Sequence, residues 1–200
     1  MAPNVDLWLA STSPRRRELL AAAGVAFQLC EPGPEYVPGG GDEHSSERGE
    51  PGRLALDRAV RKALGAKVPA TPVPVLGVDT VVDLDGLELG KPADRAAAER
   101  MLRALVGRRH LVHTAHCLCV PHLGRSWCEL ATAEVECGPP PEAELQRYLD
   151  SGQWRGKAGS YGVQDDAQSF FRVVRGAFDT VVGLHLPAVR ALLARARAEA

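Results

Sequence analysis

Apolar positions fall in short strand-length runs separated by stretches of helical spacing. Leu7-Trp8-Leu9-Ala10, after Asp6, is a compact run that reads as a buried strand over 6–10, cut by Ser11-Thr12-Ser13-Pro14. Ser13 is placed to cap a helix whose first position is Pro14, where a missing N–H costs nothing. Leu19, Leu20 and Ala23 give that helix an apolar stripe, and Gly24 ends it. Val25 to Cys30 reads as a second strand. Pro32, Pro34, Pro38, Pro51 and the Gly39-Gly40-Gly41 run then erase the patterning, which predicts a flexible surface loop over about 32–52, of the kind that forms lids.

Regular spacing resumes at Leu54 to Ala66, a helix with Leu56, Ala59 and Ala63 on one side. Val75 to Val78 is a buried strand, Thr80 to Leu84 continues extended, and Asp85-Gly86 signals a hairpin. Asp94 can cap a helix through Leu105, with Ala97, Met101, Leu102 and Leu105 at helical spacing. Residues 111–120 and 126–137 predict an antiparallel pair. Glu142 to Leu149 reads as a helix, Phe170 to Val174 and Thr180 to Leu184 as strands, and Leu186 onward as an alanine-rich helix. Helices and strands mix throughout, so the class is α/β or α+β.

Size and charge narrow the picture. The chain has 200 residues, which favours one domain over 1–200, since domains run roughly 100–200 residues. Apolar residues are 45% and charged residues 24%, ordinary for a soluble globular protein. A net charge of −1 speaks against nucleic-acid binding by overall charge. No apolar run approaches the ~18 residues of a membrane span. Five loosely spaced cysteines read as free thiols in a reducing compartment, which predicts a cytoplasmic protein.

Polar residues that interrupt apolar segments mark the candidate chemistry. Ser11-Thr12-Ser13-Pro14-Arg15-Arg16-Arg17 lies between a strand and a helix. A helix N-terminus attracts anions, and arginine binds phosphate oxygens bidentately, so the turn reads as a polyphosphate site. Asp79 and Thr80 interrupt Gly77-Val78-Asp79-Thr80-Val81-Val82. A carboxylate there is costly unless paired or bound to a metal, which makes Asp79 a candidate general base or metal ligand. Gly86-Leu87-Glu88-Leu89-Gly90-Lys91-Pro92 fails as a P-loop, with glycine spacing one short and proline in place of Ser/Thr, but leaves Lys91 as a phosphate contact. Lys157-Ala158-Gly159-Ser160-Tyr161-Gly162-Val163-Gln164 suits close backbone approach, with an amide able to read a base edge. His110, His113, His116, Cys117, Cys119 and His122 match no closed zinc spacing and read as sheet residues, with His113, Cys117 and Cys119 on one face.

Together these segments, with Leu9-Ala10 before the first and Val181-Val182-Gly183-Leu184 after the last, resemble the Maf family of nucleoside triphosphate pyrophosphatases. The resemblance runs in the family's order over residues 7 to 187. It implies an elongated α/β fold with a central mixed sheet, two lobes and a cleft between them, related to inosine triphosphatases. It implies hydrolysis of a nucleoside triphosphate between the α and β phosphates, a divalent metal cofactor (magnesium or manganese), and a homodimer. Some family members are tied to arrest of cell division. Asp79 then matches the catalytic acidic residue, Lys91 the phosphate-binding lysine, Ser11, Arg15 and Arg16 the phosphate turn, and Lys62 a helix lysine. Arg16, Thr80 and Gln164 resemble the trio of the subgroup acting on dTTP and UTP.

Departures from the family pattern bear on activity. Glu35 fits the first of two acidic residues, a metal ligand beside Asp79, but Tyr36 replaces the second. Asp165-Asp166 adds negative charge where glycines and apolar residues are usual, and would repel a triphosphate if directed inward. Thr180 stands where asparagine is usual. Two alternatives accompany the enzyme reading: a nucleotide-binding regulator of cell division with little turnover, and a zinc-dependent module on residues 110–122.

Overall fold

The computed structural model describes residues 5–34, 50–70 and 72–199. At its centre is a seven-stranded mixed sheet of β1 (Leu7–Ala10), β2 (Phe27–Cys30), β3 (Val75–Leu84), β4 (Leu87–Leu89), β5 (Arg109–Val120), β6 (Arg125–Cys137) and β7 (Phe171–Arg175). The order is β2-β1-β3-β5-β6-β7, with β4 also on β3. β1 runs parallel to β2 and to β3, and the pairings of β3 with β4 and β5, β5 with β6, and β6 with β7 are antiparallel. The helices are α1 (Pro14–Ala22), α2 (Pro51–Leu64), α3 (Arg95–Leu105), α4 (Glu142–Ser151), α5 (Phe178–Val182) and α6 (Leu186–Ala198).

Side chains alternate across a sheet, and here the two faces carry different partners. On one face Val81, Ala115, Cys117 and Cys119 pack against Ala55, Ala59 and Ala63 of α2. Small residues on both sides bring helix and sheet unusually close. Gly77 is the contact point: a Cβ there would sit 2.2 Å from the Ala59 carbonyl oxygen and 2.6 Å from the Ala63 nitrogen. Any larger residue would push α2 off the sheet.

The opposite face holds two apolar clusters. In one, Leu7, Leu9, Leu76, Val78 and Leu118 meet Leu20 of α1 and Val189, Leu192 and Leu193 of α6. In the other, Val82, Leu84, Val112 and Val135 meet Ala98, Leu102 and Leu105 of α3 and Leu145, Tyr148 and Leu149 of α4. Each fully buried leucine contributes about 1.5–3 kcal/mol, so these clusters hold the fold. They are the two lobes anticipated from sequence. Thr80, Thr114 and His116 occupy the sheet face between them.

The last β1–β3 pair is Ala10 with Gly77, and the first β3–β4 pair is Val82 with Leu89. Between those pairs, residues 78–81 of β3 form a notch in the sheet edge among the described strands. Consecutive residues Asp79 and Thr80 project to opposite faces yet flank the same notch.

Most predicted elements are present with shifted ends. The strands expected at 75–78 and 80–84 form one continuous β3. Asp94 caps α3, its Oδ1 accepting from the Ala97 N–H at 2.7 Å. Asp85 and Gly86 form the hairpin turn with φ of 54° and 82°. The strand expected over Thr180 to Leu184 is wrong: this segment is the short helix α5, ended by Gly183 at φ 117°. Its β-branched residues mimic a strand, while the Gly183 N–H returns to the Asp179 carbonyl at 3.0 Å. Ser13 stands at the N-cap of α1, but its side chain makes no capping bond. Of the loop expected over 32–52, residues 35–49 lie outside the described residues, and Pro51 already begins α2.

Candidate active site

A cleft of about 420 Å³ occupies the notch and the space between the lobes. Ser11, Arg15, Arg16, Lys62, Asp79, Thr80, Lys91 and Gln164 all line it. Glu35, the expected second carboxylate, and Tyr36 beside it lie outside the described residues. Among the described residues, six lining side chains are cationic (Arg15, Arg16, Lys62, Lys91, Arg155 and Lys157) and one, Asp79, is a carboxylate. This excess of positive charge suits a polyanionic ligand despite the near-neutral chain.

One wall is the turn from β1 into α1. Ser13 leaves the helix uncapped, and Ser13, Pro14 and Arg15 at the start of α1 line the cleft, where the partial positive charge of a helix N-terminus favours anions. The Ser11 hydroxyl accepts from the Ser13 N–H at 3.3 Å and from Arg16 Nη1 at 2.9 Å. Arg16 also donates through Nε to the Gly183 carbonyl at 2.8 Å and through Nη2 to Thr80 Oγ1 at 3.1 Å. One guanidinium thus ties α1, β3 and the end of α5 together. Gly183 permits that approach, since a Cβ there would lie 3.4 Å from Thr80 Oγ1 in a conformation side chains rarely adopt. Arg15 reaches the cleft from the next position of α1. Burial draws its guanidinium below the ordinary value, with Glu18 pulling the other way.

Across the notch, Lys62 of α2 and Asp79 of β3 form a buried ion pair, Nζ to Oδ1 at 2.6 Å, with the residues 4% and 7% exposed. Taking two charges out of water costs several kcal/mol unless all their bonding positions are met. Here they are not. Asp79 Oδ2 is buried and has no hydrogen-bond partner. An orphaned carboxylate oxygen facing a cationic cleft is an acceptor waiting for a cation or a proton donor. Sequence reasoning placed Asp79 and Lys62 separately; it missed Gly77, whose lack of a side chain lets α2 carry Lys62 to the carboxylate.

The remaining wall comes from the other lobe. Gly159 N–H bonds the Gly90 carbonyl at 3.1 Å, which sets the Lys157–Gln164 segment beside Lys91. Within that segment Ser160 adopts φ 67°, an unusual conformation for a non-glycine residue and a common feature of ligand-binding loops. Lys157 forms a close ion pair with Asp165. Burial and the Arg15 charge pull the Lys157 ammonium down to about 8, while the Asp166 charge opposes that shift. Asp166 instead accepts from Gln153 Nε2 at 2.6 Å, and neither aspartate lines the cleft. The condition for repulsion by Asp165-Asp166, side chains directed inward, is not met: one aspartate pairs with Lys157 and the other with Gln153. Arg155, held over the Trp154 ring at 4.7 Å, is a lining cation that no sequence signal marked.

The histidines divide between the two sheet faces, as strand alternation dictates. His110 Nε2 meets the Tyr161 hydroxyl at 2.6 Å, and His116 Nε2 accepts from the His185 N–H at 2.9 Å. Burial lowers these two to about 4 and about 3. His113, on the opposite face with Cys117 and Cys119, contacts Thr132 Oγ1 at 2.9 Å and Asp83 Oδ2 at 3.2 Å. Among the described residues no three His, Cys, Asp or Glu side chains gather in a group able to hold a metal.

A cationic cleft with a buried lysine–carboxylate pair, entered by a helix N-terminus, agrees with the comparisons to known proteins. The family model for Maf-like proteins matches residues 6–196. The chain belongs to the Maf-like family. Among its relatives, the dTTP/UTP pyrophosphatase of Bordetella pertussis is 43% identical over 194 residues, covering 94% of this chain and 90% of that protein. The dTTP/UTP pyrophosphatase of Ralstonia nicotianae is 37% identical over 206 residues, covering 98% and 96%. That of Symbiobacterium thermophilum is 40% identical over 184 residues, covering 90% and 89%. The mixed α/β architecture with its seven-stranded sheet is consistent with this Maf-like membership. No helix among the described residues is long and apolar enough to cross a membrane.

Proposed function

We propose that this chain hydrolyses dTTP and UTP to the nucleoside monophosphate and pyrophosphate, working as one domain over its whole length. The observation that carries the reading is the pairing of a six-cation cleft with a buried carboxylate whose Oδ2 is unsatisfied. Cleaving a phosphoanhydride asks for charge neutralisation and an aligned water more than covalent chemistry. Ser11, Arg15, Lys91 and the N-terminus of α1 take the phosphates. Asp79 orients and deprotonates the attacking water, and Lys62 fixes the carboxylate's position. Gln164 and Thr80 read the base, and Arg16 holds Thr80 in place.

A divalent cation, magnesium or manganese, fits the same oxygen. Magnesium is commonly held by one or two carboxylates plus substrate phosphates. Asp79 Oδ2 supplies one such ligand, and we assign Glu35, outside the described residues, as the second. When bound, the ion would neutralise charge developing on the phosphates. A cytoplasmic homodimer completes the proposal.

The test is a pyrophosphate-release screen over canonical and modified nucleotides. Release from dTTP and UTP, with CTP weaker and ATP and GTP poor, supports the reading. Tight binding of dTTP without release would instead support the regulator of cell division. A best substrate of 7-methyl-GTP would keep the pyrophosphatase reading and overturn the base assignment.

A further inference from the structure

The sense of every hydrogen bond behind Thr80 is fixed by one buried residue. Thr114 lies on β5 directly opposite Thr80 in the register. It is fully buried and does not line the cleft. Its hydroxyl is 2.7 Å from the Thr180 carbonyl oxygen and 3.0 Å from Thr80 Oγ1. A carbonyl only accepts, and a hydroxyl has one proton and two lone pairs. Thr114 therefore spends its proton on Thr180 and must accept from Thr80. The Thr80 proton is thus directed inward. One Thr80 lone pair takes the Arg16 Nη2–H at 3.1 Å, and the other faces the cleft.

We propose that Thr114 is a positioning residue that makes Thr80 an obligate acceptor, and so selects bases carrying an N–H at the pyrimidine 3-position. Uracil and thymine carry N3–H, whereas cytosine presents a bare N3 lone pair that an acceptor repels. A glutamine amide can flip to suit either edge, so Gln164 alone discriminates weakly. The relay Arg16–Thr80–Thr114–Thr180 resists flipping: turning the Thr114 hydroxyl away from Thr180 leaves two oxygens 2.7 Å apart with no proton between them, and turning the Thr80 hydroxyl outward does the same across the 3.0 Å Thr80–Thr114 contact. The inference rests on the dTTP/UTP reading above and explains how that reading separates uracil from cytosine.

The test compares kcat/KM for UTP and CTP in the wild type, Thr114→Val and Thr114→Ser. Valine keeps the shape but frees the Thr80 proton to turn outward. The UTP-over-CTP ratio should fall about 10-fold, with CTP holding or improving while UTP declines. Serine keeps the hydroxyl and should restore the ratio. A purely structural role would lower both substrates together, and that outcome overturns the inference. Should the valine variant not fold, Thr114→Ala reads the same ratio. A wild type that prefers UTP with a ratio unmoved in the variants overturns only the role of Thr114. A wild type indifferent between UTP and CTP overturns the base reading, and this inference with it.

Discussion

Asp79 and Thr80 are neighbours on one strand, line one cleft and differ in almost every bond they make. Thr80 sits on the face shared with α1 and α5, inside a relay in which its proton and one lone pair have partners. Asp79 sits on the α2 face, where Lys62 covers one oxygen and the other is bare. A satisfied network rigidifies its members and specifies geometry; a half-satisfied one stores a vacancy that a ligand can relieve. Under the proposed function, the Thr80 side recognises and the Asp79 side reacts. Such a division is available because the sheet edge opens between Ala10 and Leu89, letting both faces reach one ligand.

The sharpest break of this comparison is Asp79→Asn. It keeps the size and removes the charge, and turnover should drop on the order of 100-fold or more, as for loss of a general base. Lys62 then loses the charge of its buried partner at 2.6 Å, and breaking a buried pair on one side is destabilising. The melting temperature should fall as well. Adding Lys62→Met should recover the melting temperature without recovering pyrophosphate release. Turnover within about twofold of wild type in the single variant would reject the assignment.

Next in size is Arg15→Ala. Loss of one charge-assisted phosphate contact should weaken triphosphate binding by about 1.5–3 kcal/mol, with a smaller loss for the monophosphate. Arg16 is the internal control. Among the described residues it donates to Gly183, Ser11 and Thr80 from the same helix, so Arg16→Ala should lower thermal stability where Arg15→Ala does not. Titration calorimetry with a slowly hydrolysed triphosphate and the matching monophosphate checks the first expectation, and thermal melts check the second. Equal, small effects of Arg15→Ala on both ligands would mean that its side chain is only a solvated face.

How much of this was readable in the residues follows from the range of the interactions. The strand, turn and helix containing Arg15 and Arg16 were legible because capping, proline and apolar runs act within a few residues. Asp79 was legible because a carboxylate in an apolar strand demands a partner. The identity of that partner was not derivable from spacing. Lys62 meets Asp79 only because Gly77 and the alanines of α2 let the helix approach, and only the family resemblance pointed to it. Thr114 gave no signal: a threonine in a strand is ordinary, and its role comes from standing opposite Thr80 in a pairing 34 residues apart. Thr180 misled for the opposite reason. Its local β-branched pattern favoured a strand, and the turn at Gly183 overrode it.

Gln164→Glu sharpens the recognition side. The change removes an amide donor and adds negative charge in a cleft meant for a polyanion. The kcat/KM ratio of dTTP over ATP should fall about 10-fold, because a site built around hydrogen bonds discriminates strongly when one is left unpaired. An unchanged ratio would leave base choice to the Thr80 relay alone.

The smallest effect is expected at Asp165→Asn, and it tests whether Lys157 is shared between protein and ligand. Lys157 lines the cleft but is paired with Asp165 just outside it. A triphosphate must therefore compete with an internal carboxylate for that ammonium. Removing the carboxylate charge should lower the KM for dTTP about threefold at pH 7, a gain of the size expected for one partly screened ion pair. The gain has a pH limit set by Lys157 itself. Its ammonium is drawn down to about 8 by burial and Arg15, with Asp166 opposing. Removing the paired Asp165 carboxylate further disfavours the charged ammonium, so the proton leaves at a lower pH in the variant than in the wild type. A lysine whose pKa is lowered binds anions below that value and loses the ability as pH rises through it. The KM advantage of Asp165→Asn should thus shrink between pH 7 and pH 9 and vanish at the upper end. A KM that rises at pH 7 would show that Asp165 orients Lys157 for the substrate instead of competing with it.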